Sequence, residues 1–375
     1  MTRVPLVDLA AQEAQVAAEV LAEVAAVARE GRFVLGPRVE AFERWLAERS
    51  GATYAVGVAS GTDALELALR AVGIARGDAV VTPAFSFVAA AEAIAIVGAR
   101  PVFCDVDLVT MNADARTMAA AVDRARRAGL RVRALLPVHL FGRCASLGPL
   151  RDLAASEGLR LVEDAAQAFG ARDDAGIAAG GAGDAGCFSF FPTKNLGAWG
   201  DGGAVVTRDA DVNARVRSLR AHGASAPYVH AELGRNSRLD AVQAAVLTVK
   251  GRHFDAWQQS RAAWAHAYRA GLHDVALDLP PVPASRGVHA WHAFVVRCGR
   301  RDDLARWLHA QGIDARVYYP VPLHRQRVFA ELDEPFLPVT EALTRTALAL
   351  PIGALPPGEG HAFVVEQIRR FFERG

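Results

Sequence analysis

Short apolar runs alternate with longer alanine-rich stretches through the middle of the chain. Residues 78–82, 101–105, 132–138 and 159–162 are strand-like runs, each closed by polar or turn residues. Between them, residues 64–72, 89–97 and 147–156 place their apolar positions at helical spacing. Repeated β-then-α units predict an α/β fold, with a mainly parallel central sheet covered on both faces by helices. Sheets of that kind bind ligands beyond the carboxyl ends of their strands. Asp164 falls at one such end, and Thr82-Pro83-Ala84-Phe85 follows another.

The pattern changes after Lys250. A long helix is expected from residue 239 to about 271, weakened where Lys250-Gly251 interrupts the apolar spacing, and Pro280-Pro281-Val282-Pro283 reads as a stiff turn. Residues 292–298, 301–311 and 315–319 then read as strand, helix and strand, which suits a smaller C-terminal α/β domain. We therefore expect a large domain over 1–250 and a small one over 251–375. No internal repeat is visible, and the alanine-rich runs have bulky neighbours, so they are not low-complexity sequence.

Composition fits this picture and narrows the function. The chain has 375 residues, 52% of them hydrophobic, enough to bury a large core in two domains. Its 42 basic and 41 acidic residues nearly cancel, which argues against a nucleic-acid surface. The basic cluster from Arg124 to Arg133 reads as a solvated helix face and the turn after it. Cys104, Cys144, Cys187 and Cys298 form no CxxC pair and read as reduced, mostly buried thiols, with no metal site expected. The N-terminus lacks the apolar core of a secretory signal, so a cytoplasmic protein without a membrane span is expected.

The candidate chemistry centres on Lys194, in Ser189-Phe190-Phe191-Pro192-Thr193-Lys194-Asn195-Leu196-Gly197, thirty residues after Glu163-Asp164-Ala165-Ala166-Gln167. An amine must be neutral to form an imine, and apolar surroundings disfavour the ammonium. A carboxylate at the pyridine nitrogen of pyridoxal phosphate keeps that ring protonated and electron-accepting, a role that Asp164 can fill. Taken singly, the lysine reads as a solvated charge and the aspartate as a helix cap. Gly181-Ala182-Gly183-Asp184-Ala185-Gly186 matches the spacing of a dinucleotide fingerprint. Its context is wrong, because a loop precedes it and an aromatic, strand-like run follows.

Further segments extend the pattern: Ser60-Gly61-Thr62-Asp63-Ala64-Leu65, Thr82-Pro83-Ala84-Phe85-Ser86-Phe87, Val138-His139-Leu140-Phe141-Gly142, Gly234-Arg235-Asn236-Ser237-Arg238-Leu239-Asp240 and Tyr319-Pro320-Val321-Pro322-Leu323-His324. In this order, together with the Lys194 and Asp164 segments, the chain resembles the DegT/DnrJ/EryC1/StrS family of sugar aminotransferases, of the aspartate aminotransferase superfamily (fold type I). The resemblance implies pyridoxal 5'-phosphate as cofactor. Its phosphate would lie at Gly61, Thr62 and Asp63, where a helix start offers free N–H groups; an ordinary cap by Ser60 or Thr62 is the alternative. Ser189 would add a hydroxyl, and Asn236 would reach the phosphate from a partner subunit. Phe87 would stack on one face of the ring, with a plain core aromatic as the alternative, while Ala166 covers the other face and Gln167 bonds the phenolic oxygen. The N-terminal segment would pack across the small domain.

By the same resemblance, L-glutamate gives its amino group to the cofactor, and a UDP- or dTDP-linked keto sugar takes it up, with C3 favoured over C4. Lys194 is then both covalent anchor and general acid and base. Sugar 3-dehydratases of the family carry His at that position, whereas this chain has Lys. Arg238 would hold the glutamate carboxylate or the sugar, or else form an interface salt bridge. Tyr319 would lie near the sugar nucleotide with His324 close by. Tyr318 stands where many relatives have His, and Arg235 where small or aromatic residues are common. A homodimer with shared sites is expected. Two alternatives stay open: an aminotransferase of a free cyclic ketone such as an inosose (or an aromatic amine synthase), and a non-catalytic regulatory binder of the cofactor.

Overall fold

The computed structural model describes residues 3–332 and 334–374. Seven strands build the main sheet: β1 (Tyr54–Val58), β2 (Asp78–Pro83), β3 (Arg100–Cys104), β4 (Arg131–Leu135), β5 (Arg160–Asp164), β6 (Ala185–Ser189) and β7 (Gly203–Thr207). They lie in the order β1-β7-β6-β5-β4-β2-β3, and β7 is antiparallel to both neighbours while the other pairs run parallel. Strand pleating sends successive side chains to opposite faces. Along β7, Val205 enters one core with Leu65, Leu69 and Val162, whereas Ala204 and Val206 enter another with Phe42, Phe188 and Leu247. Both faces are therefore dry, which accounts for the unbroken apolar runs of β2 and β7.

The helix Gly61–Ala71 packs on Ala89–Ile96 and Ala210–Leu219 across one face, and Pro37–Ser50 packs on Ala241–Leu272 across the other. The four expected strands occur within a few residues of their predicted ends. Arg131, expected in a turn, opens β4, and Arg131 and Arg133 are its exposed positions.

Two expectations about the C-terminal part are corrected. The long helix runs unbroken from Ala241 to Leu272, with no interruption at Lys250-Gly251. Lys250 is buried there and pairs with Glu13 of the N-terminal segment, while Gly251 lets the ring of Trp45 come within 3.0 Å of where a Cβ would stand. Residues 315–319 form no strand; Arg316 makes a single antiparallel bridge to Ala349. The second sheet instead pairs Phe294–Arg297 with Ala347–Leu350, antiparallel. Phe294, Val296, Leu348 and Leu350 face a separate core with Tyr268, Leu304, Leu308, Val364 and Ile368. Val4 enters that core and bridges Ile313, so the N-terminal segment straps this region.

Candidate active site

Asp164 ends β5, and a cluster of elements converges on it. Its side chain is buried, with Oδ1 accepting the Ala166 N–H at 3.0 Å. Burial raises its pKa, opposed by that N–H, by Lys194 and by His139. Lys194 follows β6 in a turn in which its own N–H bonds the Phe191 carbonyl at 2.8 Å. Burial lowers the Lys194 amine to about 8, and the nearby Asp164 charge only partly offsets this. Although the residue keeps some exposed surface, its Nζ has no hydrogen-bond or ion-pair partner among the described residues. A half-buried amine with no partner and a weakened hold on its proton is poised for nucleophilic work rather than for a surface ion pair.

At the start of the helix Gly61–Ala71, Ser60 Oγ accepts the Asp63 N–H at 3.1 Å. The ordinary cap is thus present, yet it uses only one of the free donors. The N–H groups of Gly61 and Thr62 have no partner among the described residues, and Ser189 stands directly beside them. A Cβ at Gly61 would lie 2.6 Å from Ser189 Cβ, so only glycine allows this approach. Two amide donors, a hydroxyl and a helix N-terminus make a cradle suited to a phosphate.

Asp63 has two partners of its own. Its N–H bonds Ser60, and its Oδ2 accepts the Ser237 hydroxyl at 2.6 Å, so it braces the turn. Ser237, which the sequence reading passed over, is fully buried and also accepts the Ala59 N–H. Its neighbours Asn236 and Arg238 make no hydrogen bond through their side chains among the described residues, and Asn236 is exposed. Arg235, the departure from the family pattern, forks onto Glu66 at 3.0 and 2.8 Å and so buttresses the same helix.

Aromatic rings line the other side. Phe87 is 55% exposed, which rules out the core reading. Tyr319 lies between Phe85, Phe87 and Phe141, with ring centroids 6.2 to 6.4 Å apart. Gln167 joins this cluster to β5: its Oε1 accepts the Phe141 N–H at 2.8 Å and its Nε2 donates to Tyr319 Oη at 3.1 Å. Tyr318 stacks on Phe141. His324 follows Tyr319 closely in sequence. Its side chain is fully buried against Phe103, with Nε2 3.2 Å from Glu341.

The glycine-rich decoy has its own anion. Glu163, one residue before Asp164, is fully buried and accepts the N–H groups of Gly180, Ala182 and Gly183 at 2.9, 2.7 and 2.7 Å. His139 Nδ1 accepts the Ala145 N–H, so its proton is on Nε2, which donates to Glu163 at 2.9 Å. The loop therefore has no free donors there for a dinucleotide. All four cysteines are free and buried. Among the described residues no group of three or more His, Cys, Asp or Glu is placed to hold a metal, and no helix is long and apolar enough to cross a membrane.

Size alone does not pick out this site. The two larger cavities, of about 630 and 460 Å³, lie away from Lys194. A smaller one of about 190 Å³, lined by Thr193, His292 and Tyr318 among others, adjoins it. Donor chemistry is the better guide here. Comparison with known proteins decides the matter: residues 14–369 match the DegT/DnrJ/EryC1/StrS aminotransferase family. The chain belongs to that family. It is an aminotransferase, and its cofactor is pyridoxal 5'-phosphate. It is similar to the dTDP-3-amino-3,4,6-trideoxy-α-D-glucose transaminase of Streptomyces venezuelae (42% identical, covering 99% of this chain and 97% of the relative). It is also similar to the UDP-N-acetyl-3-dehydro-α-D-glucosamine 3-aminotransferase of Acidithiobacillus ferrooxidans (42%, 98% of each). The crystal structure of S. venezuelae DesV superposes with a TM-score of 0.94 at 42% identity over the whole of both chains.

Proposed function

We propose that this aminotransferase moves an amino group from L-glutamate to a UDP- or dTDP-linked keto sugar, with C3 favoured over C4. The carrying observation is the unpartnered Lys194 amine, lowered to about 8 beside the buried Asp164, in a chain whose similar relatives are nucleotide-sugar aminotransferases. Pyridoxal phosphate, when bound, supplies an aldehyde that carries the amino group and a ring that draws off electrons as the substrate's proton leaves.

The protein residues then divide the work. Gly61 and Thr62 N–H groups and the Ser189 hydroxyl would hold the phosphate, with Asn236 contributed across a dimer. Asp164 would keep a proton on the ring nitrogen, and Phe87 and Ala166 would contact the ring. Gln167, already fixed by Phe141 and Tyr319, orients the phenolic side. Lys194 Nζ would take the proton from the amino-bearing carbon as general base and, as general acid, would give it to the carbon on the other side of the nitrogen. At pH 7.5 roughly one amine in four is neutral with a pKa near 8, against about one in a thousand for an ordinary lysine. Arg238, Tyr318 and Tyr319 face the substrates in a homodimer with shared sites.

The test runs the two half-reactions apart. Protein loaded with pyridoxal phosphate should turn L-glutamate into stoichiometric 2-oxoglutarate. In the reverse direction it should take the amino group from dTDP-3-amino-3,4,6-trideoxy-α-D-glucose or from the UDP-linked 2-acetamido-3-amino sugar faster than from 4-amino isomers. Reaction with an aminocyclitol alone would favour the free cyclic ketone, and cofactor binding without 2-oxoglutarate would favour the regulatory reading.

A further inference from the structure

One side chain beside the lysine is held as firmly as the assigned residues and has no assigned role. His292 precedes the strand Phe294–Arg297, at the end of a loop fixed from four directions. Gln258 Nε2 donates to the His289 carbonyl at 2.8 Å, and the fully buried Arg261 donates to the Trp291 carbonyl at 3.2 Å. His289 stacks on Trp291 with centroids 3.8 Å apart and accepts its N–H. Ala290 and Ala293 donate to the carbonyls of Gly142 and Phe141. Gly142 is a glycine of necessity, since a Cβ there would stand 2.7 Å from the His292 nitrogen, at φ +97.

This clamp fixes the tautomer of the ring. Asn195, next to Lys194 in sequence, gives its amide N–H to the Ala290 carbonyl, so its Oδ1 faces His292 Nδ1 at 3.1 Å. An amide oxygen only accepts, so Nδ1 carries the proton and Nε2 keeps a lone pair. Burial, with Lys194 and Arg261 nearby, holds the imidazole neutral. Nε2 makes no hydrogen bond among the described residues, and His292 lines the 190 Å³ cavity together with Thr193 and Tyr318.

We propose that His292 Nε2 accepts a hydrogen bond from a hydroxyl of the amino-accepting sugar and so helps the site tell that substrate from glutamate. A fixed acceptor rewards a hydroxyl, which can donate. It gives nothing to a carboxylate, which cannot, so glutamate gains no contact there. The inference rests on the reading of the substrate as a nucleotide-linked keto sugar, which carries at least one free ring hydroxyl.

Two variants test it. H292N keeps an amide N–H near the Nδ1 position for Asn195 and deletes the acceptor. Its kcat/KM with dTDP-3-amino-3,4,6-trideoxy-α-D-glucose, or with the UDP-linked amino sugar if only that reacts, should fall about tenfold, chiefly in KM, the loss expected for one neutral hydrogen bond. The glutamate half-reaction should stay within about twofold. H292Q, whose distal carboxamide can still accept, should recover part of the loss. Calorimetry of the same amino sugar on the pyridoxamine-phosphate form, where no transfer is possible, should show the same ordering in Kd. Equal losses in both half-reactions, no loss in either, or H292Q falling below H292N would overturn the inference. A wild-type protein that reacts with no nucleotide amino sugar would instead defeat the substrate reading beneath it.

Discussion

Gly61→Ala is the sharpest probe of the phosphate cradle. The backbone at Gly61 lies outside the positive-φ region, so alanine is not strained there by its own conformation. The added methyl would stand 2.6 Å from Ser189 Cβ and 3.1 Å from Ser189 Oγ. Ordinary carbon contacts begin near 3.5 Å, so the helix start and the end of β6 must part by roughly 1 Å. Overpacking of that kind costs about 1–3 kcal/mol, and a displaced Ser189 hydroxyl forfeits about 1 kcal/mol of hydrogen bonding. If half of this falls on the cofactor-bound state alone, affinity drops by about fivefold to thirtyfold at 1.4 kcal/mol per decade. Titrating dialysed apoprotein with pyridoxal phosphate by fluorescence quenching measures the loss, and denaturant unfolding of the apoprotein separates it from a general loss of stability. In a Ser189→Gly background the two side-chain contacts are gone and only the backbone Cα at 3.2 Å remains, so G61A should then cost less than threefold. Unchanged affinity in the single variant, or the same loss in both backgrounds, would refute the close approach as the basis of the cradle.

Other outcomes follow from the same geometry. The Lys194 amine is depressed to about 8 in the folded protein, so the rate of cofactor capture by apoprotein should rise about tenfold per pH unit below 8 and level off above it; a rise continuing to pH 10 in stopped-flow absorbance would contradict the burial effect. Glu163→Gln turns an amide towards N–H donors that now meet only carboxylate oxygens, and should cost about 2–4 kcal/mol in urea unfolding; a loss under 1 kcal/mol would show that the loop can rearrange. Asn236→Ala should speed loss of pyridoxal phosphate on dialysis, and mixed dimers with Lys194→Ala subunits should show the defect crossing to the other subunit; normal retention removes the case for a shared site.

The alternation of apolar runs and helical stretches was enough to read the parallel sheet, because strands buried on both faces must be apolar throughout. The Lys250-Gly251 pair misled for an instructive reason: its charge is buried against Glu13 and its glycine is needed under Trp45, both contacts made by chain more than 200 residues away. Ala347–Leu350 escaped notice because an Ala-Leu run has helical propensity, and only pairing with Phe294–Arg297 makes it a strand. In the site, the motif pattern singles out Lys194, Asp164, Gly61 and Ser189, and the fold sets Lys194 near Asp164 and Gly61 against Ser189. The burial of the His324 ring was not legible, since nearness in sequence to Tyr319 says nothing of which way a ring turns. Ser237 and His292 carried only a weak signal, a small polar residue between Asn and Arg and a histidine opening a strand. Their roles come from contacts with Asp63 and Asn195 that no local pattern encodes.

The proposed chemistry turns on which amine the cofactor's aldehyde meets. Borohydride reduction of the loaded protein followed by peptide mapping should place the pyridoxyl group on Lys194 alone, and Lys194→Ala should abolish the label while the protein stays folded. Label on another lysine, or none on the native protein, would contradict the assignment of this site.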